Sequence, residues 1–376
     1  MAIHWFILIV LLVIIVQGQI YQRWGQKKLS YTRSFNVKRC SQDDEIEMVE
    51  EISNKKLLPL PWLRVESLLH AGMQFQAQHN LDISNGEFVQ NHKSFFSLLP
   101  FTKITRRHRV TCIKRGIYRI NSVSLTCGDA FGLIRNSKRL ELDAELIVYP
   151  KLMSLEELQL PSQSWQGDIT VKRWIVEDPF MVAGVREYRY GDSLKSVNWK
   201  ATARTGELQV NQRDFTADRR LMILLNIEDH EGMWNTVNEV ERAEKGIAYA
   251  AALSQAAISQ GMEAGFATNA CMLDKAKAKV RIEPRSGEDH QAYVLETMAR
   301  LLIEPSVAFH ELLEEEAMEY GRRFDYCIIT AFVSEKMQFQ LDLLAQNGHN
   351  VDVIYLHHDQ TVADKAKRSR KGEYST

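Results

Sequence analysis

The sequence predicts an α+β multidomain fold, with an N-terminal transmembrane helix, then an antiparallel β-sandwich, then an α/β domain. Three observations carry this. An apolar run opens the chain, short alternating strands separated by turns fill the first half, and strands alternating with amphipathic helices fill the second. At 376 residues the length suits about two domains.

From Ile3 to Val16 the chain is apolar except for His4, and it stays weakly apolar through Ile20 and Tyr21. The run approaches the roughly 20 residues that span a bilayer. No Lys or Arg precedes it, and Val16-Gln17-Gly18 is a poor cleavage site, so residues 1–21 read as an uncleaved transmembrane anchor. Arg23, Lys27, Lys28, Arg33, Lys38 and Arg39 follow before any acidic residue. Positive flanks stay inside, so residues 22–34 read as a basic juxtamembrane segment. The expected location is the cell membrane, single-pass, with the soluble body cytoplasmic and Tyr21 and Trp24 at the interface.

Composition narrows the function classes. There are 47 basic and 48 acidic side chains, a balance that gives no general reason to expect nucleic-acid binding. The five cysteines, Cys40, Cys112, Cys127, Cys271 and Cys327, are scattered and form no CxxC pair. That suits a reducing compartment better than a disulfide framework.

Residues 35–150 read as the β-sandwich. Ile46, Met48 and Val49 sit among acidic residues, Arg109 to Cys112 alternates, and Ile117–Ile120, Val123–Leu125 and Leu146–Tyr149 supply further strands. Residues 151–215 read as a connector with little apolar periodicity. From Leu221 to Ile227 a nearly continuous apolar run marks a strand buried on both faces, and Val240, Ala243, Ile247, Ala250, Ala251 and Ile258 mark a long helix. Further strands at Gly265–Ala267, Val280–Ile282, Tyr326–Thr330 and Val351–Leu356 alternate with helices marked by Val294, Leu295, Met298 and Leu301 and by Met337, Leu341 and Leu344. Alternation of this kind implies a parallel sheet with helices on its faces over residues 216–358. The basic tail, 359–376, lacks apolar periodicity and reads as disordered.

The most informative stretch runs from Val185 to Gln212. Tyr190-Gly191-Asp192-Ser193 reads as a turn into a helix capped by Asp192 or Ser193, with Leu194, Val197 and Ala201 at helical spacing and Gly206 ending it. The succession Arg186-Glu187-Tyr188, Gly191-Asp192, Trp199 and Ala203-Arg204 resembles the signature of the bacterial domain-of-unknown-function 58 family. Lys114–Tyr118, Gly128–Leu133 and Val148-Tyr149-Pro150 look like the sandwich segment of that family. Members more often carry two membrane spans where this chain has one.

The resemblance implies a von Willebrand factor A-like, Rossmann-type α/β half. Such domains hold a divalent cation on a D-x-S-x-S run, a loop Thr and a later Asp. Here Asn226, Ile227, Glu228, Asp229 and His230 stand at the run, and Thr330-Ala331-Phe332 follows the later strand, so the site reads as degenerate and without metal. His357 and His358 would point to opposite faces of a strand and cannot share an ion. Cys327, inside an apolar run, reads as inert, and no catalytic motif or cofactor site is found.

Two readings of the signature remain. Arg186, Glu187, Arg189, Asp192, Lys195, Lys200 and Arg204 pair as a brace over Tyr188 and Trp199, or Arg186, Glu187, Tyr188, Gly191, Asp192, Trp199 and Arg204 belong to a protein-docking surface. The resemblance also implies partners, namely a MoxR-type AAA+ ATPase and membrane proteins with transglutaminase-like domains. The expected function is therefore a membrane-anchored, protein-binding adaptor in envelope-associated assembly or maturation. The alternatives are a metal-dependent or hydrolytic enzyme using Glu228, Asp229 and Asp192, and a structural membrane scaffold without an ATPase partner.

Overall fold

The computed structural model describes residues 2–76, 81–86, 89–153, 182–188, 197–213, 220–233, 237–273, 279–318 and 323–356. By contacts the chain divides into two units, Met1–Lys151 and Leu152–Thr376.

The first unit opens with helix α1 (Ala2–Trp24), which is long and apolar enough to cross a membrane. Its side chains are mostly exposed through Val16, but Gly18 and Tyr21 are buried. A Cβ at Gly18 would meet Ile134 Cδ1 at 2.6 Å, so a larger residue here requires the Ile134 side chain to shift. Tyr21, expected at the lipid interface, instead lies in the sandwich core, 8% exposed, and its hydroxyl donates to the Pro59 carbonyl at 3.1 Å. Asn136 Nδ2 donates to the carbonyls of Tyr21 and Gln22 at 3.2 and 2.9 Å, satisfying acceptors left free at a helix end.

The strands of this unit are β1 (Leu29–Phe35), β2 (Arg39–Ser41), β3 (Glu45–Asn54), β4 (Leu60–His70), β5 (Met73–Phe75), β6 (Leu81–Asn85), β7 (Val89–Leu98), β8 (Lys103–Cys112), β9 (Gly116–Gly128) and β10 (Arg135–Tyr149). They form two sheets, ordered β1-β3-β8-β5 and β2-β10-β9-β4-β7-β6, antiparallel except for the β2–β10 pair. Because β1 starts at Leu29, residues 29–34 belong to the sandwich and not to a juxtamembrane segment.

Strict alternation on β3 buries Ile46, Met48, Glu50, Ile52 and Asn54. One apolar cluster gathers Met48, Leu69, Phe75, Val110 and Leu146, and a second gathers Tyr31, Ile52, Val65, Phe96 and Leu125. Glu50 on β3 lies between Met48 and Ile52, and Ser67 on β4 between Val65 and Leu69, so a polar layer separates the clusters. Arg33, counted above as a basic flank of the membrane helix, is buried there. Its Nη2 donates to Glu50 Oε1 at 3.0 Å, and its Nη1 donates across the sheets to Ser67 Oγ at 2.5 Å. The Tyr31 hydroxyl reaches the same carboxylate at 2.7 Å, and His108 Nε2 lies 3.2 Å from Glu50 Oε2. Burial would raise the Glu50 pKa, but His108, Arg33 and Tyr31 together hold it down to about 2. His92, packed edge-on against Phe75 at 4.2 Å, is lowered to about 4 by burial and by the charges of Arg33 and His108.

In the second unit, β11 (Val182–Glu187) pairs antiparallel with β12 (Gln209–Arg213), and helix α2 (Trp199–Thr205) lies between them in the chain. The main sheet has the order β16-β14-β13-β18-β19, from β13 (Arg220–Leu225), β14 (Glu263–Thr268), β16 (Val280–Arg285), β18 (Asp325–Thr330) and β19 (Asn350–Tyr355). The strands β14, β13, β18 and β19 run parallel, with β16 antiparallel at the edge. Helices α3 (Val240–Ser259), α4 (Glu288–Ala299), α5 (Phe309–Met318) and α6 (Glu335–Gln346) alternate with them.

Both faces of β13 are covered, which is why its sequence is apolar throughout. Met222 and Leu224 pack with Phe309, Leu313, Met337 and Leu341 of α5 and α6. On the other side Gly246 of α3 approaches so closely that a Cβ would lie 2.8 Å from Leu225. A small antiparallel pair joins β15 (Ala270–Met272) to β17 (Leu301–Pro305). Leu301, read above as the last residue of a helical stripe, therefore begins a strand. The chain from Arg300 onward turns to pair with Met272 instead of completing another helical turn.

Candidate functional site

The carboxyl ends of β13, β14 and β18 meet where the connections leave the central strand in opposite directions, the usual place for a ligand crevice in an open α/β sheet. Asn226, Asn269 and Thr330 stand there, all buried. Asn226 Nδ2 donates to Thr330 Oγ1 at 3.0 Å, and Asn226 Oδ1 accepts from the Glu228 amide at 3.0 Å and from Asn269 Nδ2 at 3.3 Å. Asn269 Oδ1 accepts from the Ile227 amide at 3.1 Å. Thr330 Oγ1 in turn donates to the Phe332 carbonyl at 2.7 Å. The structure thus brings together the residues read as a degenerate cation site, and their amide and hydroxyl groups bond to one another. A hard cation needs converging oxygen lone pairs, and here the Thr330 hydroxyl oxygen is instead taken up by the Asn226 NH2 group.

The neighbouring carboxylates are also engaged. Glu228 Oε1 accepts from the Phe309 amide at 3.0 Å and from Asn269 Nδ2 at 3.2 Å, and burial raises its pKa against the lowering effect of the Phe309 bond. Asp229 Oδ2 accepts from the amides of Asn238 and Glu239 at the start of α3, and Oδ1 from Arg242 at 3.0 Å. Ala331 supplies no side-chain oxygen. Among the described residues no three His, Cys, Asp or Glu side chains gather to hold a metal. A cleft of about 260 Å³ beside Glu228, reached by His310, Ser334 and Lys336, falls just below the usual size of a small-molecule pocket. Titration with magnesium or manganese at micromolar concentration is expected to give no saturable heat. A saturable heat that disappears in Glu228→Gln would restore a cation to this site.

The signature forms a second candidate, a clip of strand, helix and strand. Arg186 pairs with Val210 and Glu187 with Gln209 across β11 and β12, and Val197 bridges Val210. Val197 is therefore extended and buried, not on a helix. The helix starts at Trp199, where Asn198 Oδ1 accepts from the Ala201 amide at 3.0 Å. Asn198, and not Asp192 or Ser193, is the cap of this helix. Gly206 ends it as expected, with φ 78 and its N–H on the Thr202 carbonyl. No residue of α2 is buried. Its position is set by caps and by Thr202 Oγ1, which donates to the Asn198 carbonyl and accepts from the Gln209 amide.

Trp199 is 67% exposed, Glu187 and Arg204 are exposed, and Tyr188 is half-buried. An indole packed beneath the signature is thereby ruled out. Gly191, Asp192, Arg189, Lys195 and the Arg186 side chain lie outside the described residues, as do His357, His358 and the tail. Cys327 is buried between β13 and β19, and burial raises its thiol pKa.

Residues 184–364 match the family model described as "Protein of unknown function DUF58". The match takes in the clip and the α/β sheet. A relative, "Uncharacterized protein YeaD" of Bacillus subtilis, is 20% identical over 354 residues, 94% of this chain and 82% of that protein. Among solved structures, a non-cellulosomal cohesin from Archaeoglobus fulgidus covers 34% of this chain and 94% of its own at 11% identity and TM-score 0.23. A PapD-like domain of human CEP192 covers 32% and 86% at 12% identity and TM-score 0.21. Scores of this size describe fragmentary likeness and carry no fold assignment.

Proposed function

We propose that the protein is a membrane-anchored adaptor whose cytoplasmic body binds a MoxR-type AAA+ ATPase through the clip of residues 182–213, in assembly or maturation at the envelope. The observation that carries this reading is the exposure of Trp199 on a helix that buries nothing of its own. Large aromatic and Arg side chains are the usual anchors of protein interfaces, and a rigid backbone lowers the entropy lost when they dock. The ATPase itself enters by resemblance to family members that accompany one.

The same reading makes the second unit a von Willebrand A-like domain whose cation site has been exchanged for a closed network of amides. The sheet order and the place of Asn226 and Thr330 support it. Docking then runs through side chains and not through a shared metal. A hydrolytic reading lacks support among the described residues, because Asp229 is held by Arg242 and by the amides of α3.

Membrane vesicles test both the partner and the side of the membrane. Inverted vesicles bearing the full chain are expected to capture added ATPase, with cross-links to residues 182–213, and right-side-out vesicles are not. Accessibility of a tag after Thr376 to protease separates the two parts. A tag exposed only on right-side-out vesicles overturns the topology, and a tag exposed on inverted vesicles without capture overturns the partner.

A further inference from the structure

We propose that Cys40 and Cys112 are a redox modification site that closes reversibly to a disulfide joining the two sheets of the sandwich. Their sulfurs lie 3.5 Å apart, although 72 residues separate them in sequence. Cys40 is on β2, at the edge of one sheet, and Cys112 ends β8, inside the other. Both are free thiols.

The approach is set by backbone as well as by side-chain position. After Cys40 the chain turns tightly, with the Ser41 amide on Asp44 Oδ2 at 2.7 Å and Asp43 in the left-handed region at φ 72. That turn is bonded to Cys112 on both sides. The Asp43 amide donates to the Cys112 carbonyl at 2.7 Å, and the Cys112 amide donates to the Asp44 carbonyl at 3.1 Å. The two residues are thus held together whether or not the sulfurs are bonded. Reaching the roughly 2.05 Å of an S–S bond requires about 1.5 Å of closure, within the reach of side-chain rotation.

The two sulfurs differ in role. Cys40 is half-buried and Cys112 is fully buried, so a small reagent meets Cys40 first. The hydrogen bond between them lowers the Cys112 pKa and raises that of Cys40, and burial raises Cys40 further. The oxidant is a low-molecular-weight disulfide of the glutathione type. Accessibility and not acidity makes Cys40 the first to react: once its proton has passed to solvent, a slow step given its raised pKa, it attacks one sulfur of the reagent, whose S–S bond breaks and releases one thiolate. That thiolate takes the proton of Cys112. The Cys112 thiolate then attacks Cys40 Sγ, the mixed disulfide breaks, and the second thiolate leaves and is protonated by solvent, which thereby returns the proton it took from Cys40. Two protein thiols are oxidised and one small disulfide is reduced to two thiols.

The test uses the full chain in detergent micelles, equilibrated across ratios of reduced to oxidised glutathione, quenched with acid, denatured, alkylated and digested for mass spectrometry. The expected result is a Cys40–Cys112 cross-linked peptide at oxidising ratios that dithiothreitol reverses, with Cys127, Cys271 and Cys327 alkylated throughout. The oxidised chain is expected to unfold about 5 °C or more above the reduced one, because the cross-link restricts the unfolded chain. Cys40→Ser is expected to lose both the cross-link and the shift. Two free thiols across the whole range, or a Cys40–glutathione adduct that persists beside a free Cys112, would overturn the proposal.

Discussion

Replacing Glu50 with Ala destabilises the β-sandwich by about 3–5 kcal/mol, the usual cost of removing one partner of a buried ion pair. The Arg33 guanidinium and the Glu50 carboxylate are 2% and 0% exposed, so the remaining charge has no route to water. The substitution also removes the acceptor of the Tyr31 hydroxyl and the partner of His108. Hydrogen exchange of β1, β3 and β8 amides measures the loss where it occurs, separately from the unfolding of the second unit. Exchanging Arg33 and Glu50 together for apolar residues of similar volume recovers most of it, since a buried pair is worth little against good packing. A loss under about 1 kcal/mol in Glu50→Ala would mean that the layer is hydrated and the charges are already screened.

The same layer sets a pH dependence of one sign. In the folded chain His92 titrates near 4, below its ordinary 6.5, so the unfolded chain takes up that proton first as the pH falls. Its contribution is intact above about 6.5 and lost between there and 4. Glu50 titrates near 2 instead of 4.5, so its contribution is intact above 4.5 and lost as the pH falls toward 2. Both act in the direction of acid destabilisation. Unfolding midpoints of the sandwich should therefore decline steadily below pH 6.5, and His92→Leu should remove the upper part of that decline while leaving the lower part.

This layer marks where sequence reading stopped. The alternation on β3 is visible around Ile46 and Met48, and it continues with the same period through Glu50. Hydropathy alone sends a glutamate outward. Only Arg33, 17 residues earlier, and His108, 58 residues later, make its burial tolerable, and that pairing is a property of the sheet order. Arg33 was likewise legible only as one charge in a basic run beside a membrane helix. Cys40 and Cys112 looked scattered for the same reason, because proximity across a sandwich leaves no local trace.

Other features were written locally and could be read. The apolar run at Leu221–Leu225 marks a strand covered on both faces, and Gly206 marks the end of α2. The start of α2 is not legible locally, because Val197 stands at helical spacing from Leu194 and Ala201 and yet is drawn into an extended bridge with Val210, so that this helix begins after it. Asn226 and Thr330 stand out in the sequence as polar residues ending apolar strands, but Asn269, which closes their network, does not, since it lies after a different strand.

Trp199→Ala should weaken binding of a MoxR-type ATPase by about 2 kcal/mol or more, close to thirtyfold in affinity, while leaving the thermal stability of the chain nearly unchanged. The second half of this expectation follows from the helix itself. None of its residues is buried, and its geometry is held by Asn198, Thr202 and Gly206, so truncating an exposed indole leaves an intact clip and costs within about 0.5 kcal/mol. Arg204→Ala, five residues further along the same exposed helix, should act in the same direction. The competing role is a brace, in which the signature's charges hold the fold together. A brace predicts the reverse pattern, with Arg204→Ala lowering thermal stability strongly while the protein that remains folded captures the ATPase with unchanged affinity. Measuring affinity and melting temperature on the same preparations of both variants separates the two, because docking moves only the first and bracing only the second.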